Sequence, residues 1–575
     1  MSTFPYKTTP DGLLEALANA YKVGLDIETT GLSPFDSKVR LLSLAVEGHG
    51  IWVIDLFKYP PSPKLWVALQ LPVLIGHNIK FDLKFLRYHY DFLPWSDKVW
   101  DTFRLSYMIH NGKEDMKHDL YSIRERELHI PPGEDFATSD WSAPELSKEQ
   151  LDYAAEDVYH LILLNRKLRQ YAVSLGMQDA VSNEMGAIVP EVEMELNGFH
   201  LDRSKWSKIE KENIAQESLL REELWKELPS KQIMLPGISG GVNLESPDEV
   251  RQALCSMGIE VAATNKITLA QIAHKYPVVQ KFMKWRKANK AISSFGSDFL
   301  QHIQPKTGRI HPSYWPLTGA GRYSCSGPNL QQIPADKRYR SCFTAPEGRK
   351  LVIADYSQIE LRIAAAVSRD ETLMGVYKNK LDAHTKTASI IAGNIALADV
   401  TPEQRQLAKP VNFGLIYGMG PEKLALYSMV NYGIPMTIEQ AGLFHSRYFE
   451  AYRGIRDWQR FELKQGRRDK RSHTLDGRIR YLNPDECYSE FFNTPVQGTG
   501  AGGLKRAMAI VHNRLPHSAK IVNVVHDEIV VECAEEEAED VASYLDVGMV
   551  EAMQEMVRNV PIAVETGIGD SWADK

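Results

Sequence analysis

Asp26 and Glu28 stand two residues apart in Val-Gly-Leu-Asp-Ile-Glu-Thr-Thr-Gly, a stretch that reads as a strand running into a turn. Side chains alternate along a strand, so both carboxylates point to one face. Crowded carboxylates repel at neutral pH unless a cation joins them, and a hard divalent ion is the natural partner. A third acid, Asp82, follows an apolar run and lies four residues after Asn78. The fourth, Asp157, follows Tyr153 by one helical turn and shares its face. Each acid alone is better read as a cap or a surface charge. Taken as an ordered set with a tyrosine, they suit two-metal phosphodiester hydrolysis: one ion lowers the pKa of the attacking water, the other stabilises the leaving oxygen, and Tyr153 orients the water.

A second constellation lies further on. Lys-Leu-Val-Ile-Ala-Asp355 reads as a buried strand ending on an acid, followed by a helix-forming segment that contains Glu360. Two β-branched runs flank His526, Asp527 and Glu528, which predicts a hairpin with carboxylates at its tip. With the strand end and the hairpin tip adjacent in one sheet, Asp355 and Asp527 would bridge two magnesium ions ~3.5–4 Å apart, the arrangement for in-line phosphoryl transfer. Between them, Thr401 and Gln404 form a capping box with Pro402 at the first helical position, so a helix begins there. Arg405, Lys409, Phe413 and Tyr417 recur every fourth residue and form one stripe, two cations for phosphates and two aromatics for sugar and base. Pro410 interrupts this helix, predicting a kink or a restart.

The first constellation resembles the DEDD-type 3′-to-5′ exonuclease family, in the subclass ending in Tyr-x-x-x-Asp, over roughly residues 20–165. The second resembles family A DNA polymerases, over roughly residues 185–575. Its motifs are Asp355-Tyr-Ser-Gln-Ile-Glu-Leu-Arg, Arg405-x3-Lys409-x3-Phe413-x3-Tyr417-Gly, and His526-Asp527-Glu528, joined by a Thr-Gly-Ala-Gly-Arg322 segment carrying Asn329 and Gln331 and by Asn493-Thr-Pro-Val-Gln497. The resemblance implies a multidomain α/β and α+β chain: a ribonuclease H-like exonuclease domain over 1–172, then a right-hand polymerase over 173–575. Within the latter, the thumb spans about 190–310, the palm about 311–356 and 496–575, and the fingers about 357–495. It further implies metal binding by Asp355 and Asp527 with Glu528 assisting, and by Asp26, Glu28, Asp82 and Asp157. Mg2+ would bind two per active site, with Mn2+ as a substitute. Arg405 and Lys409 would contact the incoming deoxynucleoside triphosphate, with Lys409 as general acid for pyrophosphate. Arg322, Asn329, Gln331, Asn493, Gln497 and His526 would touch primer-template DNA, and Glu360 would exclude a ribose 2′-hydroxyl. Phe413, lacking a hydroxyl, implies rejection of dideoxynucleotides. Ser489 stands where many family members carry arginine. Only about twenty residues precede the exonuclease motifs, so a 5′ nuclease domain is not expected.

Length and composition set the frame for these motifs. At 575 residues the chain exceeds one core and suggests about four units at ~150 residues each. Apolar residues at 43% and charged residues at 25% exclude wholesale disorder. Five scattered cysteines without a CxxC pair argue against a disulfide framework and a zinc site. No signal peptide or membrane span is expected, and a monomer in the cytoplasm of a bacterium or a phage-infected host fits. Net charge is −7, which does not advertise a polyanionic partner, yet residues 266–309 hold nine basic residues and one acid. There Lys281, Lys284, Lys287 and Lys290 recur every third residue, predicting a cationic helical face, with Lys284 and Lys287 as DNA contacts. A second basic cluster comprises Arg467, Arg468, Lys470, Arg471, Arg478 and Arg480. Residues 1–170 alternate strands and helices and close on a helix from 149 to about 170; residues 185–310 read as mostly helical, with a Gly/Pro/Ser interruption at 229–239. The competing readings are a 3′ exonuclease with an inactive polymerase module, a single-subunit RNA polymerase, and a non-catalytic nucleic-acid-binding scaffold. The full set of carboxylates counts against the first and last, and Glu360 with the exonuclease motifs against the second.

Overall fold

The computed structural model describes residues 5–131, 133–134, 136–229, 241–485 and 488–575. The N-terminal unit is built on a mixed six-stranded sheet. Its strands are β1 (Tyr6–Lys7), β2 (Lys22–Thr29), β3 (Val39–Val46), β4 (Gly50–Asp55), β5 (Val73–Gly76) and β6 (Val99–Asp101), in the order β1-β4-β3-β2-β5-β6. The β2–β3–β4 meander is antiparallel, while β5 and β6 extend it in parallel with β2. Helix α1 (Lys80–Tyr90) follows β5, and α2 (Thr102–His110) follows β6, capped by the Asp101 side chain. The expected closing helix is two helices, α3 (Lys148–Tyr159) and α4 (Leu161–Ser174), broken at His160. Uniform apolar periodicity hides this break, because both helices bury the same face.

Gly24 explains how α3 reaches the sheet. A Cβ at this position of β2 would sit 2.9 Å from the Val158 carbonyl oxygen and 3.4 Å from Ala45 Cβ. Glycine therefore lets the backbone of α3 lie close on β2, which brings Asp157 over the strand that carries Asp26 and Glu28.

Helices α5 (Gln178–Gly186) and α6 (Ile188–Asn197) join the two halves of the chain. The long helix α7 (Arg203–Glu227) then packs along α8 (Pro277–Phe295) around Phe282 and Trp285, which are buried. The Gly/Pro/Ser interruption falls, apart from Pro229, outside the described residues. The lysine face is narrower than its spacing predicts: Lys281 turns inward to Glu223 at 2.9 Å and to Glu227, leaving Lys284, Lys287 and Lys290 exposed. A three-residue repeat drifts by ~60° per step on a 3.6-residue helix, so four such lysines cannot share one orientation.

The C-terminal sheet has four strands, β7 (Arg349–Tyr356), β8 (Lys520–Val525), β9 (Glu528–Ala534) and β10 (Val564–Gly569), ordered β8-β9-β7-β10 and antiparallel throughout. Before β8 come α9 (Ile359–Ser368), α10 (Ala383–Ile391), α11 (Pro402–Ile416), α12 (Arg453–Asp469) and α13 (Thr499–Arg514); α14 (Ala538–Met556) follows β9. Helices α13 and α14 pack on each other, and α14 packs on β7 and β10, so the sheet buries one large apolar core. The run of acids at 535–540 forms a short 3-10 turn leading into α14, as a solvated helix start would. The four described cysteines, Cys255, Cys325, Cys342 and Cys533, are free thiols; Cys487 lies outside the described residues. Among the described residues, no helix is long and apolar enough to cross a membrane.

Candidate active sites

In the N-terminal unit, Asp26, Glu28 and Asp157 each direct an oxygen into one cluster, with all these oxygens within 4.8 Å of one another. Asp82, in the first turn of α1, accepts the Ile27 backbone N–H at 2.9 Å and lies beside rather than within the trio. Burial pushes the Asp26 carboxyl well above the ordinary range, and the charges of Asp82, Glu28 and Asp157 push it further. Tyr153 is buried one turn before Asp157, with its hydroxyl raised by burial first and by Asp157 next. Repelling carboxylates in a desolvated pocket fit a divalent cation, because a counter-charge relieves both penalties at once. Two further residues carry no motif signal. Arg124 is paired with Glu156 and stands 4.0 Å from Asp157, and Asp101 caps α2 while accepting the Asn78 N–H at 3.0 Å, fixing the left-handed turn before α1. Spacing along the chain cannot disclose either, since both act from other elements.

In the C-terminal unit, β7 pairs with β9 in a register that sets Asp355 opposite Glu528, with Asp527 at the tip between β8 and β9. The Tyr356 N–H donates to the Asp527 carbonyl at 3.3 Å, tying the tip to the strand end. The Asp527 carboxyl is pushed up to about 8, by burial first and then by the charges of Asp355 and Glu360. No donor reaches the buried Oδ1 of Asp355 among the described residues. Such an orphaned carboxylate oxygen beside a second carboxylate fits a divalent cation. Glu528 points partly away, accepting the Trp572 indole N–H at 2.7 Å. Lys575 donates to Asp355 and lies 3.4 Å from Glu528, so its ammonium partly neutralises these acids.

Facing the carboxylates is α11. The capping box is present, with the Gln404 N–H donating to Thr401 Oγ1 at 3.2 Å and the Thr401 N–H to Gln404 Oε1 at 2.9 Å. The helix runs on through Pro410 and ends at Tyr417, so Arg405, Lys409 and Phe413 remain on one half-buried stripe. Gly418 turns the chain at φ +74°, where a Cβ would meet the Phe492 ring at 2.6 Å. Arg405 is held by Asp382, Nε to Oδ1 at 3.0 Å and Nη2 to Oδ2 at 2.9 Å. Asp382 also caps α10 through the Thr385 N–H at 2.7 Å, and its carboxyl is held well below the ordinary range despite its burial, chiefly by the Arg405 hydrogen bond. His384, the second residue of α10, packs on Phe413 with ring centroids 5.9 Å apart, and burial pulls its pKa down to about 4. Asp382 and His384 were not singled out from sequence; a helix-capping Asp two residues before a His is too common a pattern to mark a site.

Glu360 accepts from both Arg322 and the Tyr417 hydroxyl, closing a bridge from the loop at 318–322 to the end of α11. Asn493 and Gln497 are partly exposed where their neighbours are buried, one turn apart on the same side. Gln331 donates to the Val524 carbonyl at 3.4 Å, and Asn329 caps the turn that carries it. His526 adopts φ 56° at the hairpin tip, with its imidazole pulled down by burial first and Arg322 next. One cation of the second basic cluster is internal, Arg478, buried against Glu184; Arg480, half-buried, lies against Gly319, where a Cβ would meet its guanidinium at 3.0 Å.

Residues 215–574 match the family model for DNA polymerase family A, and residues 3–171 match a 3′-5′ exonuclease model. The chain belongs to DNA polymerase family A. It is 33% identical to DNA polymerase I of Aquifex aeolicus, with 99% of each chain covered, and 30% identical to DNA polymerase I of Pseudomonas aeruginosa, of which it spans 64%. It spans 38% of the thermostable DNA polymerase I of Thermus aquaticus. Its fold matches the POL domain of Pol1 from M. smegmatis, solved in complex with DNA primer-template and dNTP, at a TM-score of 0.82 and 24% identity over 99% of both chains. The polymerase thus carries a 3′-5′ exonuclease domain ahead of its nucleotidyl-transfer domain, in the order the motifs predict. Enzymes with these two domains are metal-dependent, and the fit of both carboxylate clusters to a cation accords with that. Both polymerase carboxylates are in place, so the reading as an exonuclease with an inactive second module is not favoured.

Proposed function

We propose that the polymerase extends the 3′ end of a primer paired to a DNA template, and removes misincorporated nucleotides at its N-terminal site. One observation carries the reading: Asp355 and Asp527 meet at the end of a β-sheet opposite a helix whose single stripe presents two cations and two aromatics. Divalent ions, Mg2+ or Mn2+ and two per active site, would be held by Asp355 and Asp527 and by Asp26, Glu28, Asp82 and Asp157, supplying charge neutralisation and an activated oxygen nucleophile. Lys409 would give a proton to the departing pyrophosphate, while Arg405, steadied by Asp382, would hold the phosphates in line. Phe413 and Tyr417 would stack on the nucleotide, and Glu360, pinned by Arg322 and Tyr417, would fill the space of a 2′-hydroxyl. Tyr153 would orient the hydrolytic water. Arg322, Asn329, Gln331, Asn493, Gln497 and His526 would contact the primer-template, with Lys284 and Lys287 gripping the duplex. In domain terms, the exonuclease covers 1–172 and the polymerase 173–575, acting as a cytoplasmic monomer.

The test is extension of a labelled primer with magnesium, comparing wild type with Asp527→Asn and Asp82→Ala. The first change is expected to abolish synthesis while shortening of the 3′ end persists, and the second to do the reverse. Primer extension by the Asp527→Asn protein would overturn the assignment.

A further inference from the structure

Helix α12 stands out by its charge. Over residues 453–471 the chain carries eight basic residues, Arg453, Arg456, Arg460, Lys464, Arg467, Arg468, Lys470 and Arg471, against three acids, Asp457, Glu462 and Asp469. Ile455, Trp458 and Gly466 form the buried face of the helix. Arg453, Arg456, Arg460, Lys464 and Arg467 follow one another at intervals of three and four, which places them on the opposite face as a single ridge ~21 Å long. Of these cations, Arg456 and Arg460 share Asp457, at 3.3 and 3.9 Å, and Arg453 donates only to a backbone carbonyl; Lys464 and Arg467 have no acidic partner among the described residues. Phe461, 56% exposed, sits at the edge of the ridge. A polar helix face is ordinarily balanced in sign. This one holds about four uncompensated positive charges with a large exposed aromatic beside them, the combination that suits a single-stranded nucleic acid: cations along the backbone and a ring for a base.

The position of the ridge identifies the strand. Gln459, on the inner face, donates to the carbonyls of Leu415 and Ile416 at 2.7 and 2.8 Å, immediately before Tyr417. Trp458 packs near Phe492, whose ring closes on Gly418, and Tyr488, 48% exposed, stacks edge-on against Phe492 at 5.3 Å. The helix therefore backs the end of α11, and its outer face lies one helix diameter, ~10–12 Å, from the residues that would close on the nascent base pair. On the reading given under Proposed function, the template beyond that pair is single-stranded and must leave the site past this corner. Ser489 supplies no charge there, and its hydroxyl donates to Glu490 at 3.1 Å.

We infer that the outer face of α12, with Phe461, is the track for the single-stranded template ahead of the synthesis site. Each phosphate neutralised on a single strand contributes ~0.7 to the salt slope of log affinity, so about four contacts add ~3, or roughly 50-fold greater loss of affinity between 50 and 200 mM salt.

The experiment measures Kd against salt, by fluorescence anisotropy, for primer-templates with a one-nucleotide and a twelve-nucleotide 5′ template overhang. It compares wild type with Arg453→Gln/Arg460→Gln/Lys464→Gln/Arg467→Gln, all exposed positions, and separately with Phe461→Ala. For wild type, the long overhang should steepen the slope by ~2–3 over the short one; the quadruple variant should lose that excess and keep wild-type affinity for the short overhang. Phe461→Ala should weaken the long overhang alone, by about tenfold. Equal slopes for wild type on both overhangs, or equal weakening of both substrates in the variant, which would mark a duplex contact, overturns the inference. A protein that binds neither substrate would overturn the polymerase reading itself, so the two failures are distinct.

Discussion

Glu184 offers the sharpest stability test because three cations from three parts of the chain converge on it without solvent. It accepts Lys505 of α13 at 2.6 Å, Arg104 of α2 at 3.3 Å, and Arg478, and all four side chains are at most 3% exposed. Arg104 is shared with Glu191, which in turn accepts the Tyr323 hydroxyl at 2.7 Å. Despite its burial, the Glu184 carboxyl is pulled down to about 2 by Lys505, Arg478 and Arg104. Glu184→Gln leaves Arg104 with Glu191 but strands Lys505 and Arg478. At ~4 kcal/mol per close pair with an effective dielectric constant near 20, less the carboxylate's own desolvation, the expected loss is about 3–5 kcal/mol at pH 6. Burial already pulls the Lys505 ammonium down to about 8, with Glu184 opposing that pull. Without Glu184 the ammonium falls further, so the stranded lysine sheds its proton as pH rises toward 9, and the penalty shrinks. Glu184→Gln/Lys505→Met should cost less than Glu184→Gln alone. Urea unfolding of the three proteins at pH 6 and pH 9 measures this directly. A loss below about 1 kcal/mol at pH 6, or one that does not diminish with pH, refutes the account of the hub as a buried charge balance.

Asp382→Ala frees a guanidinium that is 41% exposed in its side chain, so the effect is discounted for solvent: KM for nucleotide should rise about tenfold, ~1.4 kcal/mol, with kcat changed less than threefold. Phe413→Tyr adds a hydroxyl beside the sugar site, and steady-state competition should show dideoxynucleotide incorporation rising at least about tenfold, the worth of one hydrogen bond. Asp527 has its folded-state pKa raised to about 8 from 3.8, so its stabilising contribution is full below pH 4 and is lost as pH rises to 8. Melting in metal-free buffer should therefore show Asp527→Asn gaining on wild type between pH 5 and 8, with added magnesium narrowing the gap.

Much of both sites was legible because their geometry is local. Alternation along β2 puts Asp26 and Glu28 on one face, one helical turn links Tyr153 to Asp157, and a four-residue repeat aligns Arg405, Lys409, Phe413 and Tyr417; none of these needs tertiary information. What escaped depends on elements far apart in sequence. Asp382 matters only because α10 lies beside α11, Arg124 because its guanidinium reaches Glu156 and Asp157 of α3, and Lys575 because the chain folds back to Asp355 from 220 residues away. The lysine face on α8 is narrower than its spacing predicts for the converse reason. Spacing alone predicts a shared face, but α7 presents Glu223 and Glu227 to one of its members.

The same contrast explains why a net charge of −7 is compatible with a chain that handles polyanions. Acids here are sequestered: several are turned into the two carboxylate clusters, while Glu184, Glu191 and Glu195 are buried against cations between the two halves. Among the described residues, surface cations are left without acidic partners where a backbone of phosphates would run, at Lys284 and Lys287 of α8 and at Arg453, Lys464 and Arg467 of α12. Affinity for phosphate follows these local fields and not the sum, since surface charges more than ~8–10 Å apart are screened from each other at physiological salt. Moving one buried acid to the surface would leave net charge unchanged and yet weaken DNA binding if it fell within that distance of the α12 ridge.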